Sequence, residues 1–294
     1  MYDDGYFTLE NYQHLRSLII QYSNLPSQEA AIIKDYMLLR TYVSEKFLEQ
    51  LGWTDMDAAK ANFGEDFLDD LRNAMMKADI VSEASVKVFL ITMTHETRKG
   101  LSPLEDGDES YFATQSYTQN TRGAGLMHVS KETQKDFLIY ICKIIDDEEM
   151  KSDIQHLIDG YVYTTNGKYD NVNITSEGLT ASEFIAKYYS IESAIWFWTL
   201  NYQKIKVNGE SASLNDFCEY YQEIESQDYL LLATQMAVNG SEGWGATRRE
   251  YLCAYPENVT CNESCSQYSY EGEELPMPNG WVDRLDNMNK LGGW

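Results

Sequence analysis

Apolar residues recur at steps of three and four along most of the chain, the spacing of amphipathic helices. Residues 8–50 predict two of them, LENYQHLRSLIIQYS and SQEAAIIKDYMLLRTYVSEKFLEQL. Pro26 lies just inside the second start, Asn24 or Ser27 can cap it, and Gly52 suits its C-terminal stop. From about residue 53 the texture changes. GEDFLDDLRNAMMKADI and VSEASVKVFLITMTHETRKG predict two further helices, the latter capped by Ser82. In that helix Val86, Phe89 and Met93 share one face, and Glu96 extends the same face at its end. An apolar face is normally directed into the core, so a carboxylate there is informative.

Residues 100–122 read as a polar, turn-rich loop, after which the glycine-rich GAGLMHVS leads into another helix. Residues 160–178 alternate aromatic and polar residues and contain Asn166-Gly167, which predicts a short β-hairpin. Helical spacing resumes over 180–204, 211–223, 226–238 and 244–253, and the tail from 255 is loop-like apart from a short helix near 280–290. No internal repeat or low-complexity tract occurs. The pattern predicts a mainly α fold with a small hairpin region. Three parts are expected: an N-terminal helical extension over 1–52, a main domain over 53–255, and a loop-rich tail over 256–294 packed on it.

With 43% hydrophobic residues, the 294-residue chain can bury a substantial core. Its net charge of -24 disfavours nucleic acid and anionic lipid as partners and leaves neutral polymers electrostatically acceptable. No apolar run of about 18 residues appears, so no membrane span is expected. The opening MYDDGYF carries neither the basic nor the apolar part of a signal peptide. The 22 tyrosines suit sugar-binding grooves, each ring having an apolar face and a polar tip, but they serve core and surface packing equally well. Of five cysteines, Cys253, Cys261 and Cys265 cluster near the C-terminus, where a disulfide, free thiols or a metal site are all open; Cys142 and Cys218 stand apart.

Glycosidic cleavage needs two carboxyl groups, one protonated to donate to the leaving oxygen and one ionised to activate water or attack directly. Glu96 suits the first role: apolar neighbours and the negative end of its own helix both favour the neutral form. Pairing with Arg98 or Lys99 on an open surface is the alternative. The loop EDGDE, residues 105–109, offers carboxylates for the second role, or is a solvated acidic turn. In TRGAGLMHVS small residues leave room for a sugar near the backbone, with His128 and Ser130 two residues apart. The turn lacks the Lys-Ser/Thr ending of a phosphate loop, and no GxSxG occurs.

Together these segments resemble the family 19 chitinase and endolysin group. The family's first catalytic glutamate ends a helix similar to FLAQxxHET, here FLITMTHET with His95 and Glu96. Its second precedes the glycine turn in a loop like GxEASGDG, here GDES, which makes Glu109 the match, with Glu105, Asp106 and Asp108 as alternates. The turn YxGRGxIQLT/S corresponds to TRGAGLMHVS, carrying the water-positioning hydroxyl to Ser130 and the substrate-contacting glutamine to His128. Ala124 replaces the family's arginine, for which Arg122 is a candidate substitute. SFKTAIWFWM is matched by SIESAIWFWTL with Trp196 and Trp198, and the late ITRxINGG…DRxxxY by Asn239, Gly240, Arg248 and Tyr251. The likeness spans about residues 55–255.

The resemblance implies a lysozyme-like bilobal helical fold and hydrolysis with inversion. Glu96 is the expected acid and Glu109 the base, with Ser130 holding the attacking water and the carboxyls about 6.5–9.5 Å apart. His95, Tyr117, His128, Asn239 and Arg248 are the expected substrate contacts, and no metal or organic cofactor is expected. The substrate is a β-1,4-linked N-acetylglucosamine polymer, chitin or its oligosaccharides; peptidoglycan, or a non-catalytic carbohydrate-binding role, remains open. Such polymers lie outside the cytoplasm, so secretion and a monomeric state are the corresponding expectations.

Overall fold

The computed structural model describes residues 27–200, 202–222, 227–238, 259–262, 267–274, 277 and 280–291. The helices expected before residue 24 and over 244–253 lie outside them. Among the described residues the fold is mainly α, with three small antiparallel sheets. No described helix is long and apolar enough to cross a membrane.

Helices α1 (Ser27–Tyr42) and α2 (Glu45–Gln50) replace the single helix expected over this stretch. Ser44 makes the break: its backbone is extended (φ -141, ψ 153) and its hydroxyl accepts from Phe47 N–H at 3.3 Å, capping a new helix. Helices α3 (Met56–Phe63) and α4 (Phe67–Lys77) follow. Next comes α5 (Glu83–Glu96), started by Ser82, whose hydroxyl accepts from Ser85 N–H at 3.2 Å. Every residue of α5 from Ala84 to Thr94 is buried, so this helix is the axis of the core. Helix α1 packs on it, as do α11 (Leu214–Tyr221), α12 (Gln227–Val238) and α13 (Trp281–Lys290). One hydrophobic cluster runs from Leu39 to Met288 and draws on the N-terminal, central and C-terminal stretches alike. Two buried tryptophans are satisfied against α5: Trp53 Nε1 donates to Thr94 Oγ1 at 2.8 Å, and Trp198 Nε1 to Ser85 Oγ at 2.9 Å.

The stretch 100–122 is not all loop. Helix α6 (Glu109–Thr114) forms there, started by Asp108, and a short 3-10 turn covers Gln119–Thr121. Six residues are too few to show periodicity, which is why the pattern misses α6. Helices α7 (Lys131–Ile144) and α8 (Glu148–Asp159) lead to the expected hairpin, β1 (Tyr161–Tyr163) with β2 (Tyr169–Asn171), in the register Tyr161↔Asn171. Helices α9 (Ala181–Tyr188) and α10 (Ser190–Thr199) come next. The helix expected as far as 204 gives way to β3 (Tyr202–Val207), paired with β4 (Glu210–Ala212). The signal was present: Asn208 and Gly209 both have positive φ, 53 and 82, as a tight hairpin turn requires. The tail holds a three-stranded sheet, β5 (Val259–Cys261), β6 (Tyr268–Tyr270) and β7 (Glu273–Glu274), besides α13. Cys261 is disulfide-bonded, while Cys142 and Cys218 are thiols.

Candidate active site

Helix α5 stops at Glu96 because the chain then turns left-handed at three successive residues, Arg98, Lys99 and Gly100 (φ 50, 62 and 85). Thr97 holds this turn, its hydroxyl donating to Met93 O at 2.7 Å and accepting from Gly100 N–H at 3.0 Å. Glycine is required at 100, since a Cβ there would sit 2.4 Å from the Trp53 ring. The Glu96 side chain, 13% exposed, is thereby left at the end of a buried helix.

Its surround is not purely apolar. Arg284 of α13, 1% exposed, donates through Nη2 to Glu96 Oε1 at 3.0 Å. Nη1 of the same arginine donates to Gln235 Oε1, Gln235 Nε2 donates to Thr92 Oγ1 at 2.6 Å, and Thr92 donates to Val88 O at 2.7 Å. A polar chain thus crosses the core from α13 through α12 to α5 and ends on the carboxylate. The partners suggested by sequence are engaged elsewhere: Arg98 pairs with Asp106 at 2.5 Å, and the Lys99 side chain lies over Gly52.

A second carboxylate is held from the loop side, and it is Glu105. Its Oε1 accepts from the hydroxyls of Tyr111 at 2.6 Å and Tyr117 at 2.7 Å, and its Oε2 from Gly123 N–H at 2.9 Å. Backbone pairing fixes this arrangement, with Glu105 N–H donating to Gly123 O at 2.8 Å and Gly125 N–H to Pro103 O at 2.9 Å. Burial first, then the hydrogen bond and charge of Glu105, push both phenols above the usual tyrosine range, so they remain donors. Glu109 is instead an exposed residue at the start of α6 and joins neither carboxylate network.

His128 lies beside Glu96. Its Nδ1 is 3.8 Å from Glu96 Oε2, and the charges of Glu96 and Glu105 both act on it. Burial is the larger influence and pulls the imidazole below the usual histidine range. Among the described residues its buried Nε2 meets no hydrogen-bond partner, and its backbone is left-handed (φ 46). The glycines of the turn make room for the protein itself rather than for a sugar. A Cβ at Gly123 would lie 2.7 Å from His128 Cβ, and one at Gly125 2.5 Å from Ser193 Oγ.

The other expected residues fall as follows. His95 packs against Gly280, where a Cβ would lie 2.0 Å from the imidazole Cε1; burial, then Arg284, lower its affinity for a proton. Tyr117 is 8% exposed, with its hydroxyl on Glu105 and the Lys131 ammonium 4.8 Å from its ring centroid. Ser130 precedes α7 as its N-cap residue, but its hydroxyl makes no capping bond. The carbonyl of Arg122 accepts from Gln134 at 2.6 Å and Ser182 at 3.0 Å, while its buried Nε meets no partner among the described residues. Trp198 is core; Trp196 is half-buried against Phe137 and Tyr140. Asn239, Gly240, Arg248 and Tyr251 lie outside the described residues.

Sequence reasoning missed Arg284 and Gln235. Arg284 had a signal: it falls on the face of α13 that carries Trp281, Leu285 and Met288, and an arginine on an apolar face needs a partner. Among the described residues no group of three His, Cys, Asp or Glu side chains is placed to hold a metal ion. Comparison with family models, with curated proteins and with solved structures found no match to this chain.

Proposed function

We propose that this protein is an inverting glycoside hydrolase of lysozyme-like type, acting on a β-1,4-linked polymer of N-acetylated sugars, with Glu96 as acid and Glu105 as base. One observation carries the reading: two carboxylates from separate segments are each gripped by directed donors at the same glycine turn, where His128 lies 3.8 Å from Glu96 and Gly123 N–H holds Glu105. In the proposed reaction Glu96 gives its proton to the glycosidic oxygen as the bond to the anomeric carbon breaks. Glu105 takes a proton from water, whose oxygen bonds to that carbon from the opposite face. Ser130, two residues from His128, is the proposed contact for that water. Glu105 replaces Glu109 in this scheme because three donors orient it, whereas no donor among the described residues orients Glu109.

The test sets soluble chito-oligosaccharides beside purified peptidoglycan, with Glu96→Gln, Glu105→Gln and Glu109→Gln. The first two variants should lose about 10²-fold or more in kcat, as loss of a general acid or base implies, and Glu109→Gln should resemble the parent. Products resolved by anomer should show inversion. Full turnover by Glu96→Gln would remove that residue from the chemistry. Severe loss in Glu109→Gln with a mild effect at 105 would restore the loop assignment drawn from sequence.

The Arg284–Glu96 pair favours a second reading, a non-catalytic sugar-binding protein. A guanidinium suits a carboxylate that stays ionised, and a binding protein has no proton to deliver. Tight binding of oligosaccharide by the parent without any release of reducing ends would select that reading.

A further inference from the structure

We infer that Tyr111 and Tyr117 are positioning residues that lock Oε1 of Glu105 and thereby make Oε2 the atom that takes the proton from water. This rests on Glu105 being the base. A carboxylate offers about four lone-pair directions, two on each oxygen. Two phenol hydroxyls reach Oε1, at 2.6 and 2.7 Å, and occupy both of its directions. Among the described residues only one donor, Gly123 N–H at 2.9 Å, reaches Oε2, so none of them takes the second direction on that oxygen. The count selects one atom out of two without any assumption about where the sugar lies.

The phenols can serve as a fixed clamp because they are themselves held. Tyr117 is 8% exposed, meets Phe112 edge-on at 6.2 Å and carries the Lys131 ammonium over its ring. Tyr111 is 39% exposed, and its ring is held between Phe112, met edge-on at 5.0 Å, and Gly107, where a Cβ would lie 2.2 Å from the ring. Tyr111 lies within α6 and Tyr117 three residues beyond its end, and the helix carbonyls at Phe112 and Ala113 accept from Lys168 at 2.5 and 2.8 Å. With the carboxyl unable to rotate, the step has one geometry. A water O–H bond breaks and its proton passes to Oε2. The electron pair stays on the water oxygen, which bonds to the anomeric carbon as the bond from that carbon to the leaving oxygen breaks, its pair taking up the proton of Glu96.

Tyr111→Phe, Tyr117→Phe and the double variant test the clamp, since phenylalanine keeps the packing and removes only the donor. On soluble chito-oligosaccharide each single variant should lower kcat about tenfold, the scale of one hydrogen bond to a charged group, with KM unchanged. The acid limb of the kcat/KM profile should move to higher pH, furthest in the double variant; a role limited to packing would not move it. Parent-like kcat and an unmoved limb in the double variant would overturn the inference. A second arm needs no turnover: in Glu105→Gln, ring-labelled tyrosine NMR should show two phenols ionising at lower pH than in the parent, assigned through the Phe variants. Unchanged phenol titrations would refute the clamp. A parent that cleaves no sugar while the phenols still respond would refute the function and leave the clamp standing.

Discussion

Glu96 and Glu105 are the same functional group held in opposite ways. Glu96 is gripped from beneath by a buried cation, at the end of a polar chain that crosses three helices. Glu105 is gripped from the side by neutral donors, two hydroxyls and one amide, all within 18 residues of it along the chain. The difference teaches where each acid's fate is decided. Removing a partner of Glu96 disturbs the core, because the groups left behind are buried. Removing a partner of Glu105 disturbs a loop that water can reach, and the cost falls on orientation more than on folding.

The sharpest way to break this contrast is Arg284→Met. It leaves Glu96 and Gln235 without their donor and should cost about 3–5 kcal/mol, the scale of breaking a buried pair from one side, read from urea unfolding. A cost near zero would mean that the polar chain is not under tension with the core. Tyr117→Phe should cost only about 1 kcal/mol in the same measurement, even though its effect on turnover is the larger of its two effects. If the tyrosine change were as damaging to stability as the arginine change, the distinction between a core-held and a loop-held acid would collapse. The smallest effect concerns acid. Burial holds both His95 and His128 below the usual histidine range. The unfolded chain therefore takes up protons first as the pH falls through about 6.5. The stability contributed by the neutral rings is complete above that value and is lost as the pH falls through the folded ones. His128→Gln should make the slope of unfolding free energy against pH shallower on the acid side; an unchanged slope would show that His128 does not titrate in this way.

How much of this was legible in the sequence depends on the reach of each contact. The cap at Ser82 and the helix end at Glu96 lie within one helix and were read correctly, but the apolar face drawn through Val86, Phe89 and Met93 singles out nothing, because this helix is buried on every side. That the loop carboxylate held by donors is Glu105 was not legible, because it turns on groups 6, 12 and 18 residues away that meet only once the loop and the glycine turn are paired. The break at Ser44 and the hairpin at Asn208-Gly209 had local signals that helical spacing overrode. Arg284 was readable as an arginine on an apolar face, but its destination, 188 residues away, was not.

That distance has a consequence for how the molecule is built. A chain made from its N-terminus contains Glu96 long before it contains Arg284, and closing so wide a span comes late. Until then the carboxyl at the end of the axial helix has no guanidinium to hold it. The C-terminal helix is thus the final keystone of the site, and a product truncated before residue 280 would keep much of its hydrophobic scaffold while lacking the cation that seats its first carboxylate.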